Sequence, residues 1–401
     1  MTGAPMRTGR NIMPQWSRRE MLALSSGALL TACSGGGGSS SSVSVPPPPP
    51  PPPPPAGSPS LAELSAGKGM RFGTAINTGT GSTFNDNNYL NLVREECNVA
   101  VAENDLKWQA IRPSPDMFTF TGGDALVNFA QTENIGFRGH TLLWEDETRY
   151  PSWFDTYDFG ADPAMEAERL LTEHISTVGA RYQGQIDSWD VVNEAVNPGN
   201  GAYRSSPFSR NLGSMEAVLD IAFQTARDTL PNTQLVYNDF MSWGTGNAHR
   251  DGVLTLLEGM ITRGAPIDAL GVQSHIFAGT GNFGGIDEAA WRSFLNDVTS
   301  LGLDLVITEF DINDQNLPAD IATRDGLIAD YTTAYLGLML EYSQLRDVLC
   351  WGLVHRYSWM QNFQPRSDGL QKRSTPFDDS YQPTPMYDAI AAAFEATTAR
   401  S

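Results

Sequence analysis

Gln185-Ile186-Asp187-Ser188-Trp189-Asp190-Val191-Val192-Asn193-Glu194-Ala195 first alternates and then runs apolar, the pattern of a buried strand. It nevertheless carries Asn193 and Glu194 at its far end, two polar groups that such a strand presents only at its tip. A carboxyl therefore stands at a strand terminus. A second stretch, Leu303-Asp304-Leu305-Val306-Ile307-Thr308-Glu309-Phe310-Asp311, repeats the design and delivers Glu309. Either glutamate alone reads equally well as a solvated strand-end residue, because short motifs recur by chance. The pair is the stronger sign, since two strand ends can bring two carboxyls face to face.

Working outward from these two strands, further apolar runs lie at Phe72 to Ile76, Val99 to Ala102, Gly136 to Trp144, Gln234 to Tyr237, Ala269 to Gln273 and Val348 to Leu353. Between the runs, Met165 to Arg181, Met215 to Leu230, Ala289 to Leu301 and Asp325 to Tyr342 have helical spacing. Alternating strands and helices predict a parallel sheet, and eight such units predict an α/β chain folded as one (β/α)₈ TIM barrel, a single catalytic domain over residues 60–398. In that architecture function sits at the C-terminal rim of the strands. Polar and aromatic residues do gather there: Glu103-Asn104-Asp105-Leu106-Lys107-Trp108 after strand two, Gly139-His140-Thr141-Leu142-Leu143-Trp144 in strand three, Asn238-Asp239 after strand five, Gln273-Ser274-His275 after strand six, and Trp351 with Trp359 after strand eight.

The 401 residues include 46 Asp+Glu against 26 Lys+Arg, a net charge of -20 that argues against nucleic acid or any other polyanion as partner. A neutral substrate fits better, and 9 Trp and 12 Tyr leave aromatics over for stacking on flat ligands. Arg18-Arg19 before the short apolar segment Met21 to Ala32 resembles a bacterial twin-arginine export signal, and Leu30-Thr31-Ala32-Cys33 resembles a lipobox. Residues 1–33 are read as that signal, with Cys33 acylated as a membrane anchor; an ordinary cleaved signal with an incidental Cys33 is the alternative. Residues 34–59, Gly/Ser-rich and then proline-rich, form a disordered linker in which Pro46 to Pro55 spans on the order of 30 Å as polyproline II. An exported protein, tethered to a membrane and facing periplasm or exterior, is the expectation.

Paired carboxyls across a sugar-sized gap are the equipment of glycosidic bond cleavage: one protonates the leaving oxygen, the other attacks or activates water. Taken together and in order, the motifs from Phe72-Gly73-Thr74-Ala75 to Trp359 are similar to glycoside hydrolase family 10, the endo-1,4-β-xylanases. The resemblance implies a retaining hydrolase acting on xylan or xylo-oligosaccharides, with Glu194 as acid/base and Glu309 as nucleophile. It implies that Glu103, Asn104, Lys107, His140 and Gln273 read sugar hydroxyls and that Asn193 bonds the 2-hydroxyl of the sugar being cleaved. Trp144, Trp351 and Trp359 are candidate walls for that sugar, whereas Trp108, Trp153, Trp189, Trp243 and Trp291 read as core. Asp311 lies two residues beyond Glu309 and shares its side of the strand if the strand continues, so Asp311 and His275 are expected to orient the nucleophile. Lys107 has a plainer alternative, neutralising its acidic neighbours.

Two positions depart from the family pattern. Glu145 follows Trp144 where a histidine is usual, an acid expected at the cleft floor and able to raise the glutamates' pKa values. His355 stands where an aspartate is usual. No cofactor or metal is implied, and a monomer is expected. Cys97 and Cys350 read as buried free thiols, with a disulfide between them the alternative. Two rival functions remain: hydrolysis of another β-linked glycan on the same barrel, or a non-catalytic sugar-binding lipoprotein.

Overall fold

The computed structural model describes residues 59–279 and 286–400; the expected export signal, Cys33 and the linker up to residue 58 lie outside the described residues. The strands are β1 (Arg71–Ile76), β2 (Val99–Ala102), β3 (Gly136–Trp144), β4 (Ser188–Asn193), β5 (Gln234–Asp239), β6 (Ala269–Val272), β7 (His275–Phe277), β8 (Asp304–Asn313) and β9 (Leu345–Cys350). Each pairs in parallel with its neighbour; β6 pairs β8, and β9 returns to β1 through Arg71↔Asp347 and Thr74↔Cys350. That last ladder closes an eight-staved barrel. The short β7 continues the sixth stave and pairs only β8, with His275 opposite Asp311.

Both faces of these strands are buried, which is why they read as unbroken apolar runs. Ala75, Val99, Val101, Val236, Ala269, Val306 and Leu349 form one cluster under Trp351 and fill the barrel interior. The alternate residues, such as Phe72, Ala100, Leu235, Leu305 and Ile307, belong to the larger core between strands and helices. Helix Pro163–Tyr182 illustrates that outer layer. Asp162 caps it by accepting from Met165 N, Pro163 occupies its first turn, and Leu170, Leu171, His174, Ile175 and Val178 form its buried stripe. Each leucine, isoleucine or valine of that stripe contributes about 1.5–3 kcal/mol on burial.

The expected barrel is present, and its differences from expectation are local. The eighth stave runs Leu345–Cys350 rather than Val348 to Leu353, because Leu345 already pairs with Leu305 and the chain leaves the sheet at Gly352, φ +105°. The sixth stave stops at Val272 and resumes at His275, because Ser274 adopts φ +64°. The seventh, read as an apolar run that delivers Glu309 at its end, runs on to Asn313 with β7 as its partner. Cys97 and Cys350 are buried free thiols. Trp108, Trp189, Trp243 and Trp291 are core, as expected, and Trp153 is partly buried against it.

Candidate active site

At the end of β4, Asn193 is fully buried and Glu194 leaves the strand with φ +58°, a left-handed conformation that costs a non-glycine residue on the order of 1 kcal/mol or more. The Glu194 N–H donates to Asn238 O at 2.9 Å, anchoring the turn to β5. Its carboxyl Oε1 accepts from Gln273 Nε2 at 2.9 Å and from Asn193 Nδ2 at 3.3 Å. Arg204 Nη2 lies 4.0 Å from Oε2. Burial first, and then the Asp239 carboxylate, raise the Glu194 pKa, with the Gln273 hydrogen bond offsetting part of the rise. Glu194 is held toward its protonated form.

Glu309, 5% exposed on β8, has the opposite surroundings. Oε1 accepts from Asn238 Nδ2 at 2.9 Å, and Oε2 faces His275 Nε2 at 3.2 Å. His140 Nδ1 stands 4.0 Å from Oε1 while bonding Asp190 Oδ2 at 2.9 Å. Burial acts to raise the carboxyl's pKa, but the His275 hydrogen bond and the His140, His275 and Lys107 charges outweigh it and hold Glu309 at about 2.

His275 owes its position to the Ser274 break, which Ser274 Oγ braces against Tyr335 OH at 2.7 Å. Because β8 continues past Glu309, Asp311 does share its side: His275 Nδ1 lies 2.8 Å from Asp311 Oδ1. Burial would lower the imidazole's pKa, yet Asp311 and Glu309 together push it up to about 10. At neutral pH both ring nitrogens therefore carry hydrogens, Nδ1–H donating to Asp311 and Nε2–H to Glu309. Asp311 Oδ2 accepts from Trp359 Nε1 at 2.8 Å, which fixes that indole beside the imidazole, 5.0 Å between ring centres.

The other candidates converge on the same rim. Lys107 is buried with Nζ donating to Asn104 Oδ1 at 3.0 Å, and sits 4.9 Å from the Trp144 ring centre. Burial lowers its pKa against the raising pull of Glu309 and Glu103. Glu103 accepts from Asn77 Nδ2 at 2.6 Å. Trp351 packs edge-on against His140 at 5.4 Å and caps the barrel interior.

Both departures sit elsewhere than the cleft floor. Glu145 is fully buried, 3.3 Å from Tyr150 OH, with its N–H on Asn193 O at 2.9 Å. Burial, only partly offset by hydrogen bonds and by Arg204 and Arg210, raises it to about 7. The rise at Glu194 comes chiefly from its own burial and then from Asp239; Glu145 is not among its main causes. His355 is buried with Nδ1 3.0 Å from Thr375 Oγ1; burial and the Arg373 and Arg324 charges keep it neutral.

Four contributors carry no role in the sequence reading. Asn238 Nδ2 bonds both Asn193 Oδ1 and Glu309 Oε1, each at 2.9 Å, so one amide joins the two glutamates' surroundings. Asn238 Oδ1 accepts in turn from Thr308 Oγ1 at 2.7 Å. Asp239 is buried between Tyr237 OH at 2.5 Å and His249 Nε2 at 3.0 Å. Arg204 and Asn77 lie in loops with no periodic signal. For Asn238 and Asp239 the signal was their strand-end position. Among the described residues no group of three His, Cys, Asp or Glu side chains could hold a metal ion.

Known proteins are similar to this chain in sequence and fold. The family model of Glycosyl hydrolase family 10 matches residues 60–393. An endo-1,4-beta-xylanase of Agaricus bisporus is 32% identical over 293 residues, 73% of this chain and 82% of that protein. The crystal structure of native xylanase 10B from Thermotoga maritima superposes with a TM-score of 0.74 at 28% identity, covering 84% of this chain and 98% of that one. Xylanase 10B from Thermotoga petrophila RKU-1, solved in complex with xylobiose, gives 0.73 at 28% identity over 84% and 97% of the two chains.

Proposed function

Because the chain belongs to glycosyl hydrolase family 10, we propose that it hydrolyses internal β-1,4-xylosidic linkages of xylan by double displacement at Glu194 and Glu309. The observation that carries this reading is the opposite tuning of two rim glutamates, with the Asn238 amide bonding Glu309 and the Asn193 that precedes Glu194: Glu194 raised, Glu309 lowered to about 2. Protonated Glu194 gives its proton to the glycosidic oxygen while the Glu309 carboxylate attacks the anomeric carbon. The C–O bond to the leaving sugar breaks and a glycosyl ester forms on Glu309. With that charge consumed, ionised Glu194 takes a proton from water, whose oxygen attacks the same carbon and releases Glu309.

The remaining side chains serve those two steps. The His275 imidazolium, held by Asp311, points one Glu309 oxygen, and Asn238 holds the other. Asn193 bonds the 2-hydroxyl of the sugar being cleaved, an interaction that strengthens as positive charge develops. Glu103, Asn104, Lys107, His140 and Gln273 read ring hydroxyls, and Trp144, Trp351 and Trp359 enclose the sugar. A pure binding protein has no use for an acid and a nucleophile in opposite states. We also propose export with acylation at Cys33, supported by Arg18-Arg19 and Leu30-Thr31-Ala32-Cys33; a Cys33→Ala chain should then move from the membrane to the soluble fraction.

Purified enzyme should release reducing sugar from xylan faster than from cellulose-type polymers. Glu309→Ala should abolish turnover and keep xylo-oligosaccharide affinity within about tenfold, roughly 1.4 kcal/mol. Unchanged turnover in that variant would reject the nucleophile assignment.

A further inference from the structure

Phe277 has no part in the chemistry above, yet among the described residues it is one of few large apolar side chains that are exposed, at 55%. Its place is specific. It lies two residues beyond His275 on β7, and alternate residues of a strand share a side, so it stands on the same side as the imidazole that touches Glu309. It also continues a row of rings. Trp359 is 5.0 Å from His275, Phe363 is 4.6 Å from Trp359, and Phe277 meets Phe363 edge-on at 6.3 Å. Trp359 is locked by its bond to Asp311, so the row starts from a fixed point.

Barrel topology says which side of the cleaved bond this row serves. In the ring of eight staves, β2 and the sixth stave are four apart and therefore opposite. Glu103, Asn104 and Lys107 follow β2, whereas Phe277 extends the sixth stave. A linear glycan whose non-reducing part rests on the β2 side must leave the site over the β7 side. An exposed phenyl there offers an apolar sugar face a flat partner and water little.

We infer that Phe277, backed by Phe363, is the platform of a subsite for the second xylose unit on the leaving-group side of the cleaved bond. The inference rests on the proposed xylan hydrolysis and assigns it a specificity-determining residue. A side chain in this role adds binding only for substrates long enough to cover it, so its loss is selective.

The test compares full-length wild type, Phe277→Ala and Phe277→Trp on 4-nitrophenyl β-xylobioside, whose leaving group is too short to need the platform, and on xylohexaose. Phe277→Ala should keep kcat/KM on the aryl substrate within about twofold and lose about tenfold on xylohexaose, the scale of one aromatic contact of about 1.4 kcal/mol. Its hexaose products should shift toward cleavage nearer the reducing end, and Phe277→Trp should retain the wild-type pattern. Equal losses on both substrates, or no loss on xylohexaose, would overturn the platform. If the wild type leaves the aryl xylobioside intact, the failure lies with the hydrolase reading itself.

Discussion

Glu194 and Glu309 are one residue type made into an acid and a nucleophile by their surroundings alone. Activity should rise as pH passes upward through about 2, where Glu309 ionises, and fall as pH passes through the raised value of Glu194, where the general acid loses its proton. Asn238→Ala removes a hydrogen bond to the ionised Glu309. Its acid limb should therefore move to higher pH, with kcat down about tenfold to a hundredfold, as a pH–rate profile would show. The same shifts bear on stability. The lowered Glu309 stabilises the fold above its unfolded value and loses that contribution as pH falls toward about 2; the raised His275 stabilises it below about 6.5 and loses that as pH rises through about 10. Glu145 runs the other way, because its proton is held by the native state up to about 7. Between roughly pH 4.5 and 7 the wild type should lose up to about 3 kcal/mol that Glu145→Gln keeps, measured by urea unfolding across that range. Part of these environments was legible from residue order, since the apolar runs delivered Glu194 and Glu309 and the positions of Asp311 and His275 pointed to Glu309, but Asn238 looked like any polar residue at a rim.

The elements show why side-chain position was harder to read than strand position. The sixth stave reads as one apolar run ending in Gln273-Ser274-His275, and nothing in that order announces that Ser274 takes φ +64° and turns His275 toward Glu309. Gly271 in the same stave is a second such point. A Cβ there would collide with Asn238 Oδ1, so the glycine makes room for the amide that bonds Glu309 and, beside Glu194, Asn193. Gly271→Ala should leave the circular dichroism spectrum unchanged and lower kcat by about a hundredfold, because a displacement of about 1 Å in a positioning group costs that much. Wild-type kcat in a folded Gly271→Ala protein would mean that Asn238 is not a positioning residue. The seventh stave's extension to Asn313 has a similar origin, since β7 supplies the ladder partner that the apolar pattern alone does not.

The whole barrel depends on joining its first and last staves. Arg71 of β1 bonds Asp347 of β9 through Nε at 2.8 Å and Nη2 at 2.5 Å, and reaches across the N-terminal end of the barrel to Asp187 at 2.7 Å. The chain ends add to the seam, with Lys68 Nζ donating to Glu395 O and Thr397 O at 2.8 Å. Arg71→Ala leaves Asp347 buried without its partner and should cost about 2 kcal/mol, discounted because Arg71 is partly exposed. Chemical denaturation should show that loss while kcat on xylan stays near wild type, since the pair lies at the opposite end of the strands from the glutamates. The alternation of apolar runs and helical spacing by itself determined the eight staves, the rim as the working face and the two glutamates on it, because burial imposes a period on local sequence. Only the folded chain decided which further side chains meet at that rim, since Asn238, Ser274 and Arg204 act through contacts between segments far apart in sequence, and no local pattern encodes the distance between them.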